Sequence, residues 1–182
     1  VNQAKGCTML MRYLIALLAV LLLAACQPQP DEADSQDAAD EPTPTGRIVF
    51  QSSRDDDREI YVVNADGSDV RRLTDNDGID DEDPALGIDG EVVFQSFTQG
   101  NYDLYTLALD GSSMIQITSG EDWEILPAWS PDTGRIAFSA DPGGTDEEIF
   151  IMDADGSSRV QLTDNADIQD TSPAWAPSAE RI

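Results

Sequence analysis

The chain has 182 residues, with 36 Asp or Glu against 10 Lys or Arg, so its formal net charge is −26. It has no His and two Cys, which excludes His-based catalytic triads, thiol-protease dyads and Cys/His zinc sites. The acidic excess repels phosphate backbones, whose recognition depends on clustered Lys and Arg, so no nucleic-acid partner is expected.

Residues 1–8 precede two candidate initiators, Met9 and Met11, and read as an over-extended gene start. Residues 11–26 run MRYLIALLAVLLLAAC, with Arg12 ahead of a 12-residue apolar stretch at 14–25. That stretch is shorter than the roughly 20 residues needed to cross a bilayer as a helix, so 9–25 is expected to be a secretory signal. Leu23, Ala24, Ala25 and Cys26 resemble the lipobox of bacterial lipoproteins. The resemblance implies cleavage before Cys26 and its lipidation; the alternative is an ordinary cleaved signal with an incidental Cys. Each buried acyl methylene contributes about 0.8 kcal/mol to holding such an anchor in a membrane. After cleavage Cys26 is the only Cys, which leaves no disulfide framework. Residues 27–45 contain Pro, Ala and acidic residues but no Ile, Leu, Val or aromatic residue. With nothing to offset ordering entropy, 26–45 is expected to be a lipidated, disordered, acidic Pro-rich tether, although a binding role is open.

From Gly46 onward three segments align: GRIVFQSS at Gly46, GEVVFQSF at Gly90 and GRIAFSAD at Gly134, spaced by 44 residues. Each continues with an acidic residue and an apolar run, Glu59 with IYVV, Asp103 with LYTL and Glu148 with IFIM. An Asp-Gly pair follows each time, at Asp66, Asp110 and Asp155, then Leu73-Thr74, Ile117-Thr118 and Leu162-Thr163. The last element is Pro-Ala-apolar, starting at Pro84, Pro127 and Pro173. Short β-branched and aromatic runs bounded by Gly, Asp, Ser and Pro are strand signals, and no sustained 3.6-residue period appears after the signal. The folded part is expected to be all β. Asp-Gly between two runs signals a hairpin with a primed turn, and short connections require antiparallel neighbours. Each unit is then a four-stranded meander in the order Pro-Ala-Trp, Arg-Ile-x-Phe, Ile-Tyr, Leu-Thr. Small sheets that are apolar on both faces must stack, and a period near 44 points to propeller blades.

The stretch 46–182 resembles the TolB-like β-propeller repeats, related to WD-type propellers. The best-matching copy is LPAWSPDTGRIAFSAD at 126–141 followed by EIFIMDADG at 148–156. Leu86 in place of Trp, 87–89 in place of Ser-Pro-Asp, and Ala176-Pro177 depart from the pattern. The resemblance implies a partial propeller of about three blades, in repeats 46–89, 90–133 and 134–182. Closed propellers have about four to eight blades, so either a truncated gene or fragment, or a ring completed by a second chain, is expected. In both cases open blade faces favour self-association.

Among possible sites, the acidic loop at 75–83 reads DNDGIDDED, and Asp75, Asp77 and Asp80 are candidate ligands for calcium, which takes six to eight oxygens. The loop is not an EF-hand: Gly78 comes too early and Leu86 stands at the twelfth position. Its counterpart keeps Asp164, Asp167 and Asp170; the alternative is a solvated acidic turn. Asp55, Asp56 and Asp57 read as an exposed hairpin tip. Glu59, Asp103 and Glu148 are expected to ion-pair with Arg47 and Arg135 for structural purposes, and Trp129 and Trp175 to pack on inner strands. No Gly-x-Ser-x-Gly elbow or phosphate-binding loop is present, and aspartates are too abundant for proximity to signify catalysis, so no enzyme activity and no catalytic residue is expected.

TolB-type propellers serve in envelope complexes, and the resemblance therefore implies a membrane-anchored extracytoplasmic lipoprotein binding a protein or glycan of the bacterial envelope. The alternative is a piece of a larger propeller-containing hydrolase or peptidase. Gln27 beside the lipidated position, rather than Asp, points to the outer membrane. The acidity is open to a second explanation, a saline habitat.

Overall fold

The Arg-Ile-x-Phe and Ile-Tyr runs pair as three antiparallel hairpins: β1 (Arg47–Asp55) with β2 (Asp57–Asn64), β5 (Glu91–Thr98) with β6 (Asn101–Ala108), and β9 (Arg135–Ala140) with β10 (Glu148–Asp153). The computed structural model describes residues 45–177 other than 132–133, 145 and 166–167. The signal, Cys26 and the tether lie outside the described residues, as does Asp167. In each hairpin one aromatic residue faces another across the strands, Phe50 with Tyr61, Phe94 with Tyr105 and Phe138 with Phe150, at centroid distances of 5.7, 5.9 and 5.7 Å. Such cross-strand pairs help fix register.

Short outer strands complete each sheet: β3 (Arg71–Arg72), β7 (Ile115–Gln116) and β11 (Val160–Gln161). The inner strands β4 (Asp81–Leu86) and β8 (Glu124–Trp129) pair with β5 and β9. Among the described residues the result is one three-stranded sheet, β1-β2-β3, and two four-stranded sheets, β4-β5-β6-β7 and β8-β9-β10-β11, with no helix. The first sheet therefore departs from the expected four strands. The Pro-Ala strand sits at the end of a sequence repeat but belongs to the next sheet, so the repeat and the sheet are out of phase.

The turn before each outer strand also departs from expectation. Gly67 N–H donates to the Asn64 carbonyl at 2.8 Å and Asn64 N–H donates to Ser68 at 2.9 Å, and Ala108 with Ser112 and Asp153 with Ser157 repeat the pattern. This is a three-residue loop, a type I turn closed by a left-handed glycine, rather than a two-residue primed turn. Only the Gly has positive φ within it, +82° at Gly67 and +85° at Gly156. The preceding aspartate accepts the Ser backbone N–H and hydroxyl, which hold the carboxyls of Asp66, Asp110 and Asp155 below their ordinary pKa.

The sheets stack: β4 lies against β1 and β2, and β8 lies against β4, β5 and β6. One cluster, with Ile60, Val62, Leu73, Val92, Phe94 and Leu107, joins the first sheet to the second. Another, with Val93, Leu104, Ile136, Phe138, Phe150 and Met152, joins the second to the third. β5 thus buries both faces. Each junction carries a recurring latch. Asp83, Leu126 and Ser172, each directly before Pro, take φ of +49°, +54° and +58°. Their N–H groups donate to Gln51 Oε1, Gln95 Oε1 and Ser139 Oγ of the preceding sheet at 2.7, 2.8 and 3.1 Å. Ser172 and Trp175, whose indole N–H donates to the Ala128 carbonyl at 3.0 Å, extend the pattern past β11 onto the third sheet. At the other end, Ile48 is 53 % exposed although its counterparts Val92 and Ile136 are fully buried.

Candidate functional site

The three predicted calcium ligands lie in the loop between β3 and β4. Asp75 accepts an ion pair from Arg72 Nη2 at 2.7 Å, Asp80 accepts Arg58 N–H at 3.0 Å, and Asp77 is exposed. The loop is held by other groups: Gly78 N–H donates to Asp57 Oδ2 at 2.6 Å and Ile79 N–H to the Asn76 carbonyl at 3.1 Å. Asp55, at the hairpin tip, accepts the Tyr61 hydroxyl. Among the described residues no group of three or more Asp, Glu, His or Cys is arranged to hold a metal ion.

The acidic residues ahead of the Ile-Tyr strands are buried rather than superficial. Glu59 is fully buried and accepts from the Arg72 guanidinium, the Thr74 hydroxyl and, at 3.2 Å, Asn76 N–H. Thr74 Oγ1 in turn accepts Ile60 N–H at 2.9 Å. Glu148 repeats the arrangement with the Thr163 hydroxyl and Asn165 N–H. The expected partners Arg47 and Arg135 are not those that serve Glu59: its cation comes from β3 of its own sheet, because the long Arg72 side chain reaches along the outer strand to the carboxylate. Arg135 lies over the Trp175 ring at 5.0 Å.

A second carboxylate stands three residues before each latch proline: Asp81 on β4, Glu124 on β8 and Asp170 in the segment after β11. Asn76 Nδ2 approaches Asp81 Oδ1 at 3.5 Å and Asn165 Nδ2 donates to Asp170 Oδ2 at 2.8 Å. Asp81 also accepts the Ser96 hydroxyl at 2.5 Å, and Glu124 pairs with Arg159 at 2.7 Å. Their spacing ahead of Pro84, Pro127 and Pro173 was a readable sequence signal, hidden by the abundance of Asp.

Burial pushes the Asp81 carboxyl up to about 6, against the lowering influence of Ser96 and Thr74 and with a further rise from Glu59. The folded state thus keeps a proton that the unfolded chain, near 3.8, has already lost. Stability through this group is complete at low pH and declines as pH rises from 3.8 to about 6. Asp81→Asn keeps an acceptor for Ser96 without a charge. The expected result in urea titrations is that the variant gains about 3 kcal/mol over the parent at pH 7.5 and little near pH 4. An equal effect at both pH values contradicts the raised carboxyl.

The first and second repeats differ in the residues around these carboxylates. In the first, Arg72 lies between Glu59 and Asp75 and donates from Nε to the Thr74 carbonyl at 2.6 Å. In the second, 44 residues on, stand Gln116, Asp103 and Ser119. There an open cavity of about 330 Å³ is lined by Gln99, Asn101, Asp103, Gln116, Ser119 and Glu121, with two glycines. Asn101 bridges the cavity wall to the carbonyls of Gly120 and Asp122 at 3.2 and 3.1 Å. Sequence reasoning did not find this cavity, although the Arg-to-Gln difference between aligned repeats was visible.

A protein-family model described as TolB beta propeller domain matches residues 39–180. The chain is 31% identical over 117 residues to the protein TolB homolog of Chlorobaculum tepidum, which is 64% of this chain and 26% of that protein. It is 35% identical over 65 residues to the uncharacterized peptidase YuxL of Bacillus subtilis, which is 36% of this chain and 10% of that protein. The chain thus spans a tenth to about a quarter of the length of these curated relatives. Among solved structures, TolB from Acinetobacter baumannii superposes with a TM-score of 0.62 at 24% identity, over 74% of this chain and 33% of that one. That likeness is one of fold.

Proposed function

Since the chain belongs to the TolB β-propeller domain family, we propose that it is a lipid-anchored, extracytoplasmic binding module that presents its blade loops to a protein or glycan of the bacterial envelope. The observation that carries this reading is the family match across 39–180, which takes in all three stacked sheets. The sheets use their faces to cover one another, and the connecting loops are the kind of surface that propellers use for recognition. Fold alone does not assign a ligand. The anchor rests on Leu23-Ala24-Ala25-Cys26, with the outer membrane favoured by Gln27. The exposed first-sheet edge at Ile48 makes self-association part of the same reading.

The test is cross-linking of the full chain in intact cells followed by fractionation. The chain is expected in the membrane fraction with a discrete envelope adduct, and Cys26→Ser is expected to release it into the soluble extracytoplasmic fraction. A cytoplasmic chain, or a membrane association that Cys26→Ser leaves unchanged, overturns the placement. A second reading, that these repeats are the propeller part of a peptidase, is favoured by the 35% identity to YuxL over 65 residues. Peptide hydrolysis by the longest natural product carrying these repeats would favour it over the binding module.

A further inference from the structure

The repeats make an internal comparison possible, because equivalent positions of the first and second are 44 residues apart: Asp55 and Gln99, Glu59 and Asp103, Arg72 and Gln116, Thr74 and Thr118, Asp75 and Ser119. The backbone around them is equivalent too: Ile60 N–H donates to Thr74 Oγ1 at 2.9 Å and Leu104 N–H to Thr118 Oγ1 at 2.8 Å. In the first repeat a guanidinium occupies the space beside the buried acid, bonded to Glu59 and Asp75 and 3.8 Å from Asp55. In the second repeat the side chain at that position is Gln116, shorter and uncharged.

In the second repeat the receptor persists with a shorter tenant, the Gln116 amide, which together with Thr98 interacts with the Asp103 carboxylate. The space persists as the cavity of about 330 Å³. Asp103, on its wall, is 3 % exposed, and its Oδ1 is buried with no hydrogen-bond partner. A buried carboxylate oxygen without a donor is costly, and a charge-assisted bond to a planar guanidinium is what relieves it in the neighbouring repeat. Glu121 on the rim adds negative charge, and so does the chain's 36-to-10 excess of acidic residues, which draws cations toward such a cleft.

We propose that the cavity between Asp103, Gln116 and Ser119 binds a guanidinium group from outside the chain, the side chain of an arginine, in the place that Arg72 fills in the preceding repeat. The Asp103 carboxylate accepts the guanidinium N–H groups as the Gln116 amide turns aside, and the Gln99 and Asn101 amides and the Ser119 hydroxyl offer further acceptors, with Glu121 on the rim. A lysine ammonium lacks the planar fork that the Arg72 arrangement uses, so the site discriminates between the two cations. Binding here does not depend on the lipid anchor or on an envelope partner, and the test uses the purified full chain alone.

Free arginine, acetyl-arginine-amide and acetyl-lysine-amide are titrated at constant ionic strength while the backbone amide signals of Gly100 and Gly120 are followed by NMR. Saturable shifts at those two glycines are expected with arginine, and binding weaker by roughly tenfold or more with the lysine form. Preference for acetyl-arginine-amide over free arginine identifies a protein side chain as the source, and the reverse identifies a small molecule. Asp103→Asn is expected to weaken binding roughly tenfold to hundredfold, the range for loss of a charged hydrogen-bond partner. Gln116→Arg is expected to raise the melting temperature and abolish binding, since the internal guanidinium then fills the site. Equal binding of lysine and arginine, no shift at Gly100 and Gly120, or undiminished binding by both variants overturns the proposal.

Discussion

Gly156→Ala is expected to be the most damaging of three equivalent substitutions, ahead of Gly111→Ala and Gly67→Ala. All three glycines close the same turn with φ between +82° and +88°, so each change carries the cost of a left-handed alanine, about 1–2 kcal/mol. They differ in what a methyl group meets. At Gly67 there is open space, and at Gly111 the Leu73 carbonyl oxygen lies at 3.5 Å, an ordinary contact. At Gly156 the methyl would drive into the Ile117 carbonyl oxygen, well inside van der Waals contact. That oxygen is backbone directly after β7, held where the Ile117 N–H donates to the Leu104 carbonyl at 2.9 Å, and cannot swing aside, so the third sheet must shift away from its neighbour. A loss of about 4 kcal/mol or more is expected for Gly156→Ala, against about 1–2 kcal/mol for the other two, read as midpoints of urea unfolding. Equal losses at the three positions would show that the turn alone decides and that its seat on the preceding sheet does not matter.

Glu59→Ala is the second large effect. One carboxylate here accepts from a guanidinium, a hydroxyl and a backbone N–H, and it is fully buried. Removing it leaves the Arg72 charge partly desolvated and the Thr74 hydroxyl and Asn76 N–H without their acceptor. Breaking a buried pair from one side costs about 3–5 kcal/mol, and about 4 kcal/mol is expected here, with Glu59→Gln intermediate because it keeps one acceptor oxygen. The decisive comparison is Asp103→Ala in the second repeat, where Gln116 replaces the arginine and one carboxylate oxygen is already unpartnered. Burial raises the Asp103 pKa, with Thr98 and Gln116 opposing. Chemical unfolding should rank Glu59→Ala well above Asp103→Ala. The reverse order would mean that the Arg72 cluster contributes little.

Much of this architecture was legible because it recurs. Spacings of 44 residues placed every hairpin, and the Pro-Ala strand was recognised as the inner one. What escaped depends on which strands become neighbours. Glu59 was expected to pair with Arg47, since a single strand pattern does not say that Thr74 and Arg72 will fold back over it. The Asp-Gly pairs announced turns but not their length: Ala65, Leu109 and Ala154, each directly before the Asp, belong to the loop rather than the strand and lengthen it to three residues. Asp81 and Glu124 were lost among 36 acidic residues, and Asp170 was noted only as a counterpart of the calcium loop, although their fixed distance from Pro set all three apart. The cavity at Asp103 was hidden for a different reason. It arises from a difference between repeats, whereas periodicity reports only what they share.

The latch joins the first sheet to the second through Gln51 and Asp83, the second to the third through Gln95 and Leu126, and the third to the segment after β11 through Ser139 and Ser172. Cohesion is therefore local, a chain of nearest-neighbour links. Mechanical load applied to one end peels such an array leaf by leaf, and each detachment exposes a fresh Ile-Val-Phe-type strand to proteases while the remaining leaves stay closed.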